Sequence, residues 1–188
     1  MVRNMRVISG SARGRVLSSP DGNDVRPTTD KVKESMFNII QFEIPGADVL
    51  DLFAGTGQLG IEALSRGAAS CVFVDRSRRS LEVVRKNIAA TGLSNSSVTV
   101  FSSAEDFLSS DKRKYDIVFL DPPYHNGLCD KVFPLLASRL NVGAAVICET
   151  QADEVLPEVF GEFAVDREYR YSAIKLTLYR KAEAEERE

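Results

Sequence analysis

The four residues Asp121-Pro122-Pro123-Tyr124 carry the sharpest chemical signal in the chain. They follow the apolar run Tyr115 to Leu120 and therefore read as the end of a buried strand. Two consecutive prolines fix φ twice and remove two backbone donors, which leaves carbonyl acceptors with no neighbouring N–H to compete for them. Asp121 adds a carboxylate acceptor, and Tyr124 adds an aromatic face with a hydroxyl at its edge. This set is complementary to an exocyclic amine on a planar base: its two N–H groups donate to the Asp121 carboxylate and the Pro122 carbonyl while the ring stacks on Tyr124. Such stacking is worth ~1–3 kcal/mol per base. The amine lone pair is delocalised into its ring until the hydrogens are held out of plane. Once it is aimed at an electrophile, alignment can supply roughly 7–11 kcal/mol of the barrier.

A partner for that amine is indicated by Val49 to Gly60, VLDLFAGTGQLG. This stretch reads as a buried strand, a glycine turn and a helix that starts near Gln58. Gly55 and Gly57 let the backbone press against a ligand while the next helix aims its free N–H groups at the same place. Gly55-x-Gly57-x-x-Gly60 also matches the dinucleotide fingerprint, and Asp75 lies 20 residues beyond Gly55, where a ribose-binding acid is expected. Asp51 weighs against a dinucleotide. A buried acid four residues before Gly55 needs turn N–H groups or a cationic ligand to offset its desolvation. It repels a pyrophosphate and attracts the sulfonium and ammonium of S-adenosylmethionine.

Strand and helix patterns alternate from Val49 to Glu149, which predicts an α/β doubly wound, mostly parallel sheet. Expected strands end at Phe53, Asp75, Phe101, Asp121 and Glu149. Ligands lie beyond the carboxyl ends of such strands, so the turn at Gly55, Asp75, Ser103 to Glu105 and Asp121 to Tyr124 should share one cleft. Before this core, Lys31 to Phe42 has helical spacing, with Thr28, Thr29 or Asp30 as its cap. Met5 to Ser9 and Arg15 to Leu17 read as a short hairpin around Gly10 to Gly14. After it, Val155 to Phe160 reads as a short helix, and Phe163 to Tyr171 with Ala173 to Arg180 as an antiparallel pair. Arg76, Arg78, Arg79, Arg85 and Lys86 form the polar face of the helix from Arg76 to Ala90, with Glu82 as their one acid. The expected divisions are a basic extension over 1–25, the main domain over 26–181 and an acidic, disordered tail over 182–188.

Composition narrows the function further. With 188 residues and 44% hydrophobic content, the chain suits one well-buried domain. It contains neither a long apolar run nor a secretory pattern, which points to a cytoplasmic protein without a membrane. His125 is the only histidine, and Cys71, Cys129 and Cys148 are odd in number and far apart in sequence. Metal chemistry, disulfides and a Ser/His/Asp triad are therefore poorly supported. The net charge of −3 conceals an uneven distribution: residues 1–20 hold four Arg and no acid, while 182–188 hold four Glu against one Arg.

The glycine turn together with Asp121 to Tyr124 resembles the amino-methyltransferases that use S-adenosylmethionine. The runs Arg26 to Asn38 (RPTTDKVKESMFN) and Asp51 to Ala68 (DLFAGTGQLGIEALSRGA) resemble more narrowly the bacterial 16S ribosomal RNA guanine-N2 methyltransferases of the small subunit, type D. The similarity runs from Arg6 to about Arg180. It implies a seven-stranded methyltransferase sheet with an antiparallel C-terminal pair, acting as a monomer on 16S RNA within a small subunit or assembly intermediate. It implies a cofactor pocket of Asp51, Phe53, Gly55, Gly57 and Asp75, with Ser103, Ala104 or Glu105 at the adenine, and a guanine held by Asp121, Pro122, Pro123 and Tyr124. Arg3, Arg6, Arg13, Arg15, Arg26, Lys31 and Lys33 would meet RNA. Competing readings are a DNA adenine-N6 methyltransferase, a nicotinamide enzyme and a non-catalytic RNA-binding protein.

Overall fold

A computed structural model of the protein describes residues 5–19, 30–124 and 126–181. Arg3, Arg26, Thr28, Thr29, His125 and the tail 182–188 lie outside the described residues. The apolar runs form β1 (Asp48–Asp51), β2 (Ser70–Asp75), β3 (Ser97–Phe101), β4 (Tyr115–Leu120) and β5 (Leu140–Gln151). β6 (Val159–Phe160), β7 (Phe163–Tyr171) and β8 (Ile174–Lys181) complete one sheet in the order β3-β2-β1-β4-β5-β8-β7-β6. The first five strands are parallel, and β8 joins β5 antiparallel. The sheet thus has eight strands rather than seven. Val159–Phe160, expected to be helical, pairs with Phe163–Ala164 because Phe160 is held between two aromatic rings, stacked 4.5 Å from Phe133 and 5.5 Å from Phe163.

Helices cover both faces. On one face lie α1 (Asp30–Ile39), α2 (Gln58–Ser65) and α3 (Arg78–Thr91), which bury residues such as Phe37, Ile61 and Val84 against Val49, Phe73 and Phe119. On the other lie α4 (Ala104–Ser110) and α5 (Leu128–Leu136), whose Phe107, Val132 and Phe133 pack on Leu50, Val118 and Val146. The alternation of side chains along each strand supplies both cores at once, as expected for a sheet covered on two sides. Gly60 fixes the approach of α2: a Cβ there would lie 2.3 Å from the Phe73 ring and 2.6 Å from the Cys71 sulfur. α1 starts beside Ile174 and sets Phe37 5.4 Å from Phe119, and beyond its end Glu43 pairs with Arg180 at 2.7 and 2.8 Å.

The expected N-terminal hairpin forms around the antiparallel bridge Arg6 to Val16, with Val7 N–H donating to the Arg15 carbonyl at 3.0 Å and Leu17 N–H to the Met5 carbonyl at 2.8 Å, and its turn docks on α2. Ile8 and Ser9 donate their N–H groups to the Glu62 carboxylate at 2.7 and 2.9 Å, and Ser11 and Ala12 donate to Ser65. Gly10 passes so close to the Ser65 carbonyl that no side chain fits there. Glu62 is fully buried and also meets Arg66 Nε at 2.8 Å and Lys33 Nζ at 3.8 Å. Lys33, expected at an RNA surface, is thus a core residue, with its ammonium donating to the Arg6 carbonyl at 2.6 Å. Burial lowers the Lys33 pKa, and Glu62 is the main charge opposing that shift. Removing one side of a buried pair leaves the other uncompensated. Glu62→Ala should therefore lower unfolding free energy by ~3–5 kcal/mol in urea titration. A loss below ~1 kcal/mol, the size of an exposed pair, would contradict this assignment.

Candidate active site

Register alone brings the acids together. Asp51 pairs with Phe73 on one side and Phe119 on the other, and Phe119 pairs with Ile147. Two residues further along β2, β4 and β5 come Asp75, Asp121 and Glu149, which side-chain alternation directs to the same face. Asp51 lies one step below them. This row forms the carboxyl rim of the sheet, where a doubly wound fold places its ligands.

A cavity of about 830 Å³ opens on this rim. Leu52, Phe53 and Gly55 form one part of its wall, Asp75 and Arg76 another, and Ser102 to Asp106 a third. Asp121 to Tyr124, Leu128 and Gln151 complete it. The expected cofactor and base elements therefore share a single cavity. Ser103, Ala104 and Glu105 all reach it, joined by Asp106, which the sequence reading left out. Ser103 also caps α4: its hydroxyl accepts the Asp106 N–H at 3.1 Å and donates to the Asp106 carboxylate at 2.8 Å. Asp51 and Gly57 are not in the wall. Gly57 caps α2 at φ 77°, with its N–H 2.6 Å from the Ala54 carbonyl, and shapes the turn from behind.

The acids differ in their engagement. Asp75 clamps the turn, accepting the Gly55 N–H at 2.8 Å and the Ser77 N–H at 2.7 Å. Asp51 is 2% exposed and accepts the Gly60 N–H at 3.0 Å. Burial pushes its pKa up to about 7; the Gly60 hydrogen bond opposes the shift and the charge of Asp75 adds to it. Asp121 is raised well above the ordinary carboxylate range, chiefly by burial, then by Glu149 and Asp51. The wall carries Asp75, Glu105, Asp106 and Asp121 against Arg76 as its one cation. Closely spaced carboxylates in low dielectric favour either protons or a positively charged ligand.

Glu149 was not singled out in the sequence, although it ends an apolar run just as Asp75 and Asp121 do. It is 2% exposed, and Tyr124 Oη donates to its Oε1 at 3.3 Å, so it fixes the ring that would stack on a base. The strand-end acid was the available signal. Cys129 and Cys148, distant in sequence, place their sulfurs 3.6 Å apart as two buried thiols, and contact with Cys129 raises the Cys148 pKa. No cluster able to hold a metal occurs among the described residues.

The remaining cations are dispersed. Arg6 is exposed and lies 3.6 Å from Asp30. Arg13 and Arg15 are exposed beside a turn docked at Ser65, the end of α2 remote from the glycine turn, so they are not brought to the cavity. Lys31 is exposed at the start of α1. On α3, Arg78 stacks 4.2 Å over Phe101 and Arg85 donates to Thr99 at 3.0 Å.

Comparison with known proteins agrees with this geometry. The family model described as Conserved hypothetical protein 95 matches residues 5–180. The chain is 38% identical over 179 residues to ribosomal RNA small subunit methyltransferase D of Escherichia coli strain K12, covering 94% of this chain and 90% of that one. It is 38% identical over 182 residues to YlbH of Bacillus subtilis, described as a presumed rRNA methyltransferase, covering 94% and 99%. A solved Escherichia coli structure, yhhF, also described as a presumed methyltransferase, superposes with a TM-score of 0.85 at 37% identity over 96% of this chain and 99% of that one.

The raised Asp51 pKa has a consequence for stability. Its folded value, about 7, exceeds the ordinary 3.8, so its contribution is full below about pH 4 and is lost as pH rises towards about 7. Asp121 acts in the same direction. Urea unfolding across this range should show a decline for the wild type, and Asp51→Asn should flatten it. An unchanged slope would show that Asp51 titrates normally.

Proposed function

The chain belongs to the ribosomal RNA small subunit methyltransferase D family, and we propose that it transfers a methyl group from S-adenosylmethionine to the N2 amine of a guanine in small-subunit ribosomal RNA. The observation that carries this reading is the single cavity in which Gly55 and Asp75 face Asp121 to Tyr124. S-adenosylmethionine, when bound, supplies an electrophilic methyl on a sulfonium.

The residues present fit that cofactor. Asp75 clamps the turn through one hydrogen bond to each oxygen and keeps further lone pairs, so it can accept ribose hydroxyls without releasing Gly55. Phe53 and Ala104 offer apolar surface in the wall, and Ser103 and Glu105 offer polar groups for an adenine edge. Asp51, outside the wall, adds negative charge as it ionises at about pH 7.

On the base side, Asp121 and the Pro122 carbonyl accept the two N–H groups of the amine, while Tyr124, held by Glu149, stacks on its ring. Reaching these groups requires the guanine to leave its own stack, at a cost least in a single-stranded loop. Attack on a methyl leaves the amine nitrogen with an extra proton. Asp121, held ionised by a cationic donor, would take that proton, and the neighbouring charge of Glu149 would raise its proton affinity once the donor's charge is lost. Phosphate contact is assigned to Arg6 and Lys31, with Arg13, Arg15 and the undescribed Arg3 and Arg26 as further candidates.

Two measurements test this. Labelled methyl from S-adenosylmethionine should enter small-subunit RNA, and Asp121→Ala should reduce kcat by at least ~100-fold while S-adenosylhomocysteine still binds. Mass spectrometry of the labelled nucleotide, after reaction with naked RNA and with assembled subunits, should find N2-methylguanosine. Methylated adenine, or equal labelling of duplex DNA, would replace the proposed target.

A further inference from the structure

We propose that the cleft between the start of α1 and the β7–β8 turn is a subsite for the RNA nucleotide adjoining the target base. This inference rests on the RNA-methylating reading above and adds the β7–β8 turn, which that reading does not use.

The cleft has a volume of about 390 Å³, within the range of roughly 300–1,000 Å³ usual for small-molecule sites. Its position follows from strand register. Gln151 lines the catalytic cavity and pairs with Ile174, which lines the cleft, so the two are separated by about one strand spacing, roughly 5 Å. The Ala152 N–H to Ala173 carbonyl bond, 3.0 Å, ties the turn to the same rim. A strand whose guanine enters the Tyr124 pocket would therefore carry its next nucleotide past this cleft.

The chemistry matches a nucleotide. Lys31 from α1 and Arg170 from β7 both line the cleft and are exposed. Neighbouring carboxylates are drawn to other cations: Asp30 pairs with Arg6 at 3.6 Å, and Glu168 lies 3.0 Å from Lys175 but 3.9 Å from Arg170. Arg170 thus keeps only a long, exposed contact with Glu168, which a phosphodiester would displace, and Tyr171 on the same wall offers a ribose or base face.

Ser172 gives independent support. It has φ 54° and is the only residue other than glycine with positive φ among the described residues. It opens a two-residue turn between the paired Tyr171 and Ile174, a position that glycine occupies without strain. Serine there adds an exposed hydroxyl on the cleft wall, suited to a phosphate oxygen or a ribose 2′-hydroxyl, at a conformational cost.

The test uses the full chain and a fluorescein-labelled small-subunit RNA, with binding followed by anisotropy at several salt concentrations. Lys31→Ala/Arg170→Ala should weaken binding about tenfold and reduce the slope of log affinity against log salt by ~1.4, two contacts at ~0.7 each for a single strand. KM for RNA should rise in parallel, with kcat at saturating RNA and S-adenosylhomocysteine affinity within about twofold of wild type. Ser172→Gly should leave the melting temperature unchanged or raised, yet weaken RNA binding severalfold. Wild-type affinity and salt slope in the double variant, with its fold intact, would overturn the subsite. Binding is read without turnover, so a different methylated atom would sink the function proposed above and leave this result standing.

Discussion

The site depends on several carboxylates held close together at one end of a sheet. Parallel register puts Asp75, Asp121 and Glu149 in one row with Asp51 beneath, and two buried cores keep those strands in place. An arrangement with so little internal positive charge is costly to bury unless protons or a cationic ligand share it. The raised pKa values of Asp51 and Asp121 express that cost in the free protein. A sulfonium with an ammonium would relieve it, so the electrostatics that burden the fold would favour such a ligand.

The rim is braced from outside the sheet. Asn87 Nδ2 donates to the Thr56 carbonyl at 2.9 Å and to the Ser18 carbonyl at 3.0 Å, while its Oδ1 accepts the Ser18 N–H at 2.8 Å. Thr56 Oγ1 in turn contacts the Met5 sulfur at 3.4 Å. The N-terminal segment therefore backs the glycine turn at one end and is pinned by Glu62 further along α2. Among the described residues it braces the glycine turn, and Arg13 and Arg15 belong to its own turn, docked at Ser65.

Sequence exposed the parts governed by local rules. Apolar runs gave the five parallel strands, the glycine spacing gave the turn, and two prolines after a buried strand marked residues that line the cavity. Long-range partnerships were less legible. Glu62 and Asn87 look like ordinary polar residues on amphipathic helices, and only the docked N-terminal segment explains their burial. Lys33 was misplaced for the same reason, since a lysine beside Lys31 reads as surface until Glu62 is seen opposite it. Val159–Phe160 is too short for periodicity to separate strand from helix, and aromatic packing decided it. Glu149 could have been found by treating each strand-end acid alike.

The central claim is that the acidic rim is built to receive positive charge. Calorimetry of S-adenosylmethionine and S-adenosylhomocysteine, in buffers of differing ionisation enthalpy from about pH 6 to about pH 8, tests it directly, because that range brackets the Asp51 value of about 7. A sulfonium lowers the pKa of nearby carboxylates, so S-adenosylmethionine should release more protons on binding than S-adenosylhomocysteine and gain affinity relative to it as pH rises. Equal proton release and parallel pH dependence for the two ligands would contradict the account.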